Sequence, residues 1–389
     1  MIYTINIDWL AVHCHYCPPR TSVNESEPET ARPGNVDEWE PVEAEGGDMF
    51  AALPWRYKLA EYGTRQFSRL HFVRMRNAAG GWDDFAEVQS CPHSGILNRS
   101  SVIVRFVNRA LYLPDFWELA NRLLSDNNFV FVGISRIDIC ADFNQFKCMS
   151  PLSLIESFAA KKLRHIGKGV GALYFNHGIG AEKDAFGKPS PDYGVQYTGL
   201  SFGTHSSDLR VYLYNKTFEL DTQGDKPWIR DTWKAVGLDI RNVWRLEVSI
   251  KSKGCSFKDK ITGKVVDIDI TNAANDDELS KIFHTFALKK FAFVKNHRGI
   301  KNISREPRLQ LFNLHPIYAH KTIRNVSPGN KFERMFLKAL YQLGDLYRGA
   351  DVHDDALTAQ SLAYDIADAT DLSAWLAKKI PEWEKPTHK

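Results

Sequence analysis

Three segments of the chain alternate between apolar and ionisable residues, and this alternation constrains the fold more than any other feature of the sequence. Successive side chains of a β-strand point to opposite faces of the sheet. Segments 136–143, 209–216 and 243–251 therefore each place an apolar row on one face and a polar row on the other. The polar rows consist of Arg136, Asp138, Cys140 and Asp142, of Arg210, Tyr212, Tyr214 and Lys216, and of Arg245, Glu247, Ser249 and Lys251. Strands placed side by side in one sheet would gather these groups on one surface.

The rest of the sequence predicts an α+β fold with a largely antiparallel β-sheet. Strand-like patterns recur in several further segments, namely 5–17, 67–76, 82–88, 102–107, 129–143 and 197–202. Helical spacing of apolar residues is found over 114–124 and 151–162, and Ser150 is placed to cap the second helix. Strands that bracket occasional helices are typical of α+β proteins. We therefore expect helices packed on one face of the sheet and an active site on the polar face.

The charges of the chain are segregated along its length. The net charge is only +3, from 50 Lys and Arg against 47 Asp and Glu, and it predicts no partner by itself. The stretch 21–49 is acidic and has few large apolar residues, so we interpret it as a loop or a flexible insertion. We expect one domain over 1–20 and 50–275, followed by a basic C-terminal region over 276–389.

The C-terminal region carries a dense run of cations with interleaved phenylalanines. Between positions 281 and 338 only Glu306 and Glu333 oppose these cations. The density favours a DNA-binding extension that contacts phosphates, and the candidate contacts are Lys289, Lys290, Lys295, Arg298 and Lys301. The plainer interpretation is a helix with an aromatic core face and a solvated lysine face.

Signals for export, membrane insertion and a disulfide scaffold are missing from the sequence. The first residues lack the basic segment and apolar stretch of a signal peptide. No apolar run approaches the roughly 20 residues of a membrane span. The 6 cysteines do not form the dense pattern of a secreted disulfide-rich domain. We therefore expect a cytoplasmic protein with no membrane partner.

The polar rows contain the groups that phosphoryl transfer requires. Paired carboxylates bind hard divalent cations such as Mg²⁺ or Mn²⁺, which polarise a phosphate oxygen. A tyrosine oxygen attacks in line and forms a covalent phosphotyrosine. Nearby Lys and Arg are expected to lower the pKa of the phenol and to stabilise transition-state charge. For any single strand, a solvated polar face with ordinary cross-strand ion pairs is the plainer explanation.

Four segments, taken in order, resemble the replication initiation factor family of rolling-circle initiators and of relaxases from integrative conjugative elements. They are RIDICAD at 136–142, YTGLSFGT at 197–204, LRVYLYNK with a later glutamate at 209–219, and WRLEV at 244–248. The family pattern is R-hydrophobic-D, then Y-x-G-S/T, then R-hydrophobic-Y-D/N-K with a later E, then R-hydrophobic-E. The resemblance covers about residues 100–255 and leaves the acidic insertion and the C-terminal region unaligned.

The resemblance implies that the first domain nicks single-stranded origin DNA that is melted or extruded as a hairpin. Tyr214 is implied as the nucleophile, and Tyr212 is the fallback. The implied metal ligands are Asp138 and Glu247, followed by Glu219 and Asp142. The groups implied to hold phosphate or to orient carboxylates are Arg136, Lys216 and Arg245. Cleavage would leave a 5′-phosphotyrosine and a free 3′-hydroxyl without ATP. A host helicase is the expected partner, and a homodimer is compatible with the sequence.

Three other interpretations stay open at this point. His13 and His15 match the His-x-His pair of a different class of metal-dependent nickase. A zinc site with half of the usual ligand spacing is offered by Cys14, Cys17, Cys91 and His93. The third alternative is a DNA-binding regulator of replication that has no catalytic activity.

Overall fold

The computed structural model describes residues 1–18, 54–93, 97–166, 171–176, 196–204, 206–258, 264–297, 303, 306–313, 321–322, 363 and 380. Chain contacts divide the protein into two compact units, Met1–Ile323 and Arg324–Lys389. The acidic stretch 21–49, which the sequence predicts to be an insertion, lies outside the described residues.

A ten-stranded sheet dominates the described part of the first unit, and all its described pairings are antiparallel. Its strands are β1 (Tyr3–Tyr16), β2 (Trp55–Leu59), β3 (Phe67–Arg76), β4 (Trp82–Pro92), β5 (Ser101–Phe106), β6 (Phe129–Phe143), β8 (Gly171–Asn176), β9 (Gln196–Phe202), β10 (Leu209–Asn215) and β11 (Trp244–Lys251). Their spatial order is β2-β3-β4-β5-β1-β6-β11-β10-β9-β8. Two small sheets pair β7 (Leu163–His165) with β14 (Phe293–Lys295), and β12 (Ser256–Lys258) with β13 (Val265–Asp267) and β15 (Lys321–Thr322).

The described helices are α1 (Phe116–Asp126), α2 (Pro151–Ala159), α3 (Lys216–Gln223), α4 (Pro227–Ala235), α5 (Ile270–Ala273) and α6 (Asp276–Lys290). The start of α2 is the one that the sequence predicts, because Ser150 Oγ accepts a hydrogen bond from the Ser153 amide at 3.0 Å. Among the described residues, no helix is long and apolar enough to cross a membrane.

The main core lies between the apolar face of the sheet and a layer formed by α1, α2 and α6. The alternate apolar residues of β6, β10 and β11 are fully buried in this core, together with Phe283 and Phe286 of α6 and Leu154 of α2. Burial of this much apolar surface is the main force that holds the layers together. The α+β class and the largely antiparallel sheet predicted from the sequence are therefore confirmed.

A second, smaller core covers one end of the opposite, polar face. It is built by α3, α4 and the loop that leads into β11, around Leu220, Ile229, Trp233, Leu238 and Val243. The indole N–H of Trp233 donates to Asp142 Oδ2 on β6 at 2.7 Å, which attaches this cover to the sheet. Helices therefore lie on both faces, and the second set closes one end of the polar surface.

The register of the central strands lines up their polar residues in rows. Tyr214, Arg245 and Asp142 lie directly opposite one another on β10, β11 and β6. The next row runs through Tyr212, Glu247 and Cys140, and the one after it through Arg210, Ser249 and Asp138. Residues directly opposite each other in antiparallel strands share a face. The three alternating segments are thus neighbours, as the placement of their polar groups on one surface requires.

The division of the chain differs from the boundary expected at position 276. Because α6 buries Ile282, Phe283 and Phe286 against the sheet, the helix is part of the first unit, which extends to Ile323. Aromatic residues of α6 therefore serve as core material.

Candidate active site

The candidate nucleophile lies at the junction between β10 and α3. The strand ends at Asn215, whose side chain caps α3 by accepting a hydrogen bond from the Phe218 amide at 2.9 Å. This abrupt change from strand to helix lets Lys216 fold back toward the strand. Its ammonium nitrogen donates to the Tyr214 phenol oxygen at 3.4 Å and forms an ion pair with Glu219, one turn along α3, at 2.6 Å.

The Tyr214 phenol has a carboxylate partner on its other side. It donates a hydrogen bond to Glu247 Oε2 on β11 at 3.1 Å, and Tyr214 as a whole is only 8% exposed. Burial and the negative charge of Glu247 raise the pKa of this phenol well above 10, although Arg245 acts in the opposite direction. Arg245 thus acts on the phenol pKa in the expected direction, but desolvation outweighs it and the net pKa is raised.

Glu247 is an unusually basic carboxylate. Burial and the negative charges of Asp138 and Asp8 raise its pKa to about 7 from an ordinary 4.5. Asp138 lies diagonally across from Glu247 on β6, and burial also raises the pKa of its carboxyl, against the effect of Arg136. Two carboxyls that repel each other's charge favour binding of either a proton or a cation.

Arg136 holds Asp138 in place at the edge of this pair. Its Nε donates to Asp138 Oδ1 at 2.9 Å, and Ser249 on β11 also bonds to the Asp138 carboxylate. Asp138 is buried, whereas the side chain of Arg136 is 38% exposed. A guanidinium has five N–H donors, so this ion pair leaves others for a phosphate group.

Arg245 is the centre of a buried ion-pair network next to the nucleophile. Its Nε and Nη2 donate to the two oxygens of Asp142 at 2.6 and 2.7 Å, and both side chains are fully buried. Nη1 donates to Asp8, and Nη2 also contacts the Tyr112 hydroxyl at 3.3 Å. This geometry makes Arg245 and Asp142 a rigid support beneath Tyr214.

Asp8 and Tyr112 belong to the site but were not predicted from the sequence. Asp8 sits at an irregularity in β1, where the pairing with β6 shifts register between Ile7 and Trp9. The signal is present in the sequence, since the apolar positions of this strand change parity between Ile7 and Leu10. Tyr112 comes from a short 3-10 helix, Ala110–Tyr112, and no strand or helix pattern points to it.

Tyr212, the fallback nucleophile, forms the outer layer of the site. Its ring stacks on Tyr214 with centroids 4.5 Å apart, and it lies 5.1 Å from the ring of Tyr174. Gly199 on β9 makes room for it, because a Cβ at that position would come within 2.8 Å of both Tyr212 Cε2 and the Leu213 carbonyl oxygen. The packing of Tyr212 thus requires the first glycine of the YTGLSFGT segment, Gly199.

The four carboxylates proposed as metal ligands lie in different surroundings. Both oxygens of Asp142 bond to Arg245, and Glu219 is paired with Lys216. In the part of the chain that the structure describes, no group of three or more His, Cys, Asp or Glu side chains is arranged to hold a metal ion. Both oxygens of Asp138 also bond to an arginine, but this Arg136 is 38% exposed, whereas Arg245 is fully buried. Asp138 and Glu247 therefore remain as the pair that fits Mg²⁺, which uses one or two protein carboxylates and completes its shell with water and substrate phosphate.

The described residues support neither the His-x-His metal site nor the zinc site of cysteines and His93. His13 and His15 lie 5.2 Å apart by ring centroids, and they contact the hydroxyls of Ser101 and Ser100 at 3.2 and 2.7 Å. Cys14, Cys17 and Cys91 are buried, and Cys14 faces the apolar core. Neither set forms a metal cluster within the described ranges, which include both.

The predicted DNA contacts in the basic region do not lie beside Tyr214. Lys289 and Lys290 occupy the last turn of α6, and Lys295 ends β14, so all three belong to the layer on the apolar side of the sheet. Cations in the last turn also stabilise the helix dipole. Arg298 and Lys301 lie outside the described residues.

The chain is similar in structure to a protein of known structure. No protein-family model matches the chain, and no curated protein matches it. Among solved structures, the chain is similar to a rolling circle replication initiator protein from Geobacillus stearothermophilus. The two are 15% identical, the match covers 79% of this chain and 94% of that chain, and the TM-score is 0.41.

Proposed function

We propose that this chain nicks single-stranded DNA at an origin, with the Tyr214 oxygen as nucleophile, and that it acts as a rolling-circle replication initiator or a relaxase. One observation carries the proposal: the Tyr214 phenol lies between a carboxylate at 3.1 Å and an ammonium at 3.4 Å. A nucleophile flanked by a base and a cation is the arrangement that phosphoryl transfer to a hydroxyl requires.

Glu247 is the group that accepts the phenol proton. A carboxylate with a pKa of about 7 is a stronger base than an ordinary one and is still substantially ionised at neutral pH. As its proton moves to Glu247, the Tyr214 oxygen forms a bond to phosphorus, and the bond from phosphorus to the 3′ oxygen breaks. The 3′ oxygen takes up a proton from water, and Glu247 returns its proton to the solvent. The DNA is left with a 5′-phosphotyrosine and a free 3′-hydroxyl.

The buried cations stabilise the charge that develops in this step. Lys216 bonds to the attacking oxygen, and Arg136 is exposed enough to bind the phosphate beside Asp138. Arg245 is fully buried and paired with Asp142, so we assign it to positioning the strands rather than to contact with DNA. Asp138 would hold Mg²⁺ or Mn²⁺, which when bound would neutralise charge on the scissile phosphate, and Glu247 is left to accept the phenol proton.

The energy of the broken bond is stored in the phosphotyrosine, so strand rejoining needs no nucleotide cofactor. By the same reasoning, the 3′-hydroxyl is available to prime synthesis or to start strand transfer. A host helicase is the partner we propose for strand separation, and a homodimer would supply a second tyrosine for a second cleavage.

The experiment that tests this proposal traps the covalent intermediate. The protein is incubated with Mg²⁺ or Mn²⁺ and a random-sequence pool of labelled single-stranded oligonucleotides, and adducts are recovered under denaturing conditions. We expect an adduct on Tyr214, located by mass spectrometry, whose attached DNA begins with a common sequence.

The Tyr214→Phe variant is expected to form no adduct, and Tyr212→Phe is the matched control. Adduct formation by Tyr214→Phe at the wild-type rate would exclude Tyr214 as nucleophile, and an adduct mapped to Tyr212 would transfer the role to the fallback. DNA binding without any adduct from the wild-type chain would favour the non-catalytic regulator.

A further inference from the structure

A row of cations crosses the polar face of the sheet, starting beside the candidate active site. Directly opposed residues on successive strands define it, and they are Lys58, Phe72, Glu87, Arg105, Arg136 and Lys251, with an alanine of β1 between the two arginines. Four of these six side chains are cationic and one is acidic. Because neighbouring strands lie about 4.8 Å apart, the part of the row from β6 to β2 spans about 24 Å.

A groove of about 800 Å³ runs beside the middle of this row. Its lining includes Trp9, His13, Gln89, Arg105 and Arg136. The guanidinium carbons of Arg105 and Arg136 both lie 4.8 Å from the centre of the Trp9 ring, so the indole and the two cations form one surface. A positively charged groove that also carries aromatic side chains is the combination found in single-stranded nucleic-acid sites.

The ion pairs in the row fix the arginines without using all their donors. Arg105 bonds to Glu87 through Nη2, and Arg136 bonds to Asp138 through Nε and Nη2. Each guanidinium has five N–H donors. Both arginines can therefore bind a phosphate while their carboxylate partners hold them in a defined orientation.

The far end of the row presents an exposed aromatic ring next to a cation. Phe72 is 40% exposed, although large apolar side chains are usually buried, and it lies directly opposite the exposed Lys58. An exposed ring beside a lysine offers one base-stacking surface and one phosphate contact. Stacking on a flat ring requires an unpaired base, which duplex DNA does not offer.

We propose that this row and groove bind the single-stranded DNA that flanks the scissile phosphate, and lead it from Asp138 across the sheet to Lys58 and Phe72. The inference rests on the proposed nicking function and adds the path of the substrate. Arg136 connects the groove to the candidate active site, because it lines the groove and also bonds to Asp138.

The test measures binding of labelled oligothymidylates of increasing length to the Tyr214→Phe chain, which we expect to bind DNA without cutting it. We expect Lys58→Glu and Phe72→Ala each to weaken binding of long oligothymidylates about tenfold, a loss within the range of one stacking contact. The shortest oligothymidylates, which do not reach β2, are expected to bind unchanged. Arg122→Glu on α1 is the matched control, since this exposed arginine belongs to the layer on the other side of the sheet.

A photocrosslinking measurement separates direct contact from indirect effects. Oligothymidylates that carry 5-iodouracil are expected to crosslink to the peptides that contain Trp9 and Phe72.

The proposal is overturned if Lys58→Glu binds long oligothymidylates like Arg122→Glu, or if duplex DNA competes as well as single strands. If the wild-type chain forms no covalent adduct but these variants still weaken binding, the nicking function is refuted and the proposed DNA path is retained. If adducts form while the variants leave binding of long oligothymidylates unchanged, only the proposed DNA path is refuted.

Discussion

Glu247 Oε2 accepts a hydrogen bond from the Tyr214 phenol at 3.1 Å, and the pKa of this carboxyl is about 7. The pKa of the phenol itself is raised well above 10 by burial. A neutral phenol of this kind attacks slowly unless its proton is removed as the new bond forms. The charge state of Glu247 therefore controls the reactivity that we propose for Tyr214.

The first prediction concerns the pH dependence of adduct formation. Below pH 7 the rate is expected to rise about tenfold per pH unit, because only ionised Glu247 accepts the proton, and to level off above pH 7. Single-turnover rates measured from pH 5 to about pH 9 check this. Glu247→Gln is expected to lower the rate throughout and to remove the inflection near 7. An unchanged inflection in Glu247→Gln would assign it to another group.

The second prediction concerns the effect of the same residue on folding stability. The pKa of Glu247 is about 7 in the folded chain and near 4.5 when unfolded, so the folded state holds the proton more tightly. Its favourable contribution is complete below pH 4.5 and is lost as the pH rises through 7. Glu247→Gln should therefore raise the unfolding midpoint at pH 8 relative to wild type and change it little at pH 4. Urea titrations without divalent cations measure this, and a larger gain at pH 4 would contradict it.

The third prediction concerns the buried support beneath Tyr214. Asp142→Asn removes the charge that Arg245 pairs with through two hydrogen bonds. Asp8 is then its remaining ion-pair partner among the described residues, and the guanidinium stays buried. Breaking one partner of a buried pair typically costs about 3 to 5 kcal/mol. Urea unfolding of the chain should show a loss of this size.

The control for this measurement is an ion pair of similar geometry at the surface. Arg241 also bonds to both oxygens of Asp239, at 3.0 Å each, but these side chains are largely exposed. Asp239→Asn is expected to leave the unfolding midpoint unchanged, because exposed pairs contribute little. Equal effects of the two substitutions would show that Asp142 is not a structural support.

The polar rows could be predicted from the sequence because strand alternation is a local property. The 136–143 part of β6, together with β10 and β11, keeps a period of two in its sequence, so the faces of Asp138, Tyr214 and Glu247 follow from the sequence alone. The neighbour order β6-β11-β10 does not follow from alternation, since α3 and α4 separate β10 from β11 along the chain. That the three strands are neighbours was an assumption, and their order was not predicted from the sequence.

Features that depend on three-dimensional environment were beyond sequence reasoning. The pKa of Tyr214 depends on a balance between burial and neighbouring charges, and counting the nearby cations gave the wrong sign. The phenylalanines of α6 were considered both as core and as part of a phosphate-binding surface, and only packing places Phe283 and Phe286 in the core. Asp8 reaches Arg245 through a local irregularity of β1 that shifts its register.

The last prediction separates the catalytic role of Lys216 from its structural one. Lys216 is almost fully buried, with its ammonium between the Tyr214 oxygen and the Glu219 carboxylate. Lys216→Met removes the cation next to the nucleophile and leaves Glu219 without this partner. The single variant should therefore lose both stability and adduct formation, which does not distinguish the two roles.

The double variant Lys216→Met with Glu219→Gln resolves this, because the neutral amide no longer needs a cation. We expect the double variant to recover the unfolding midpoint of the wild-type chain, measured in urea. Its single-turnover rate of adduct formation should stay about 10²- to 10³-fold low, the usual cost of removing one charge-stabilising donor. A double variant that recovers both folding and rate would show that Lys216 only balances the charge of Glu219, and the stabilisation of the attacking oxygen would then have to come from Arg136 or from a bound cation.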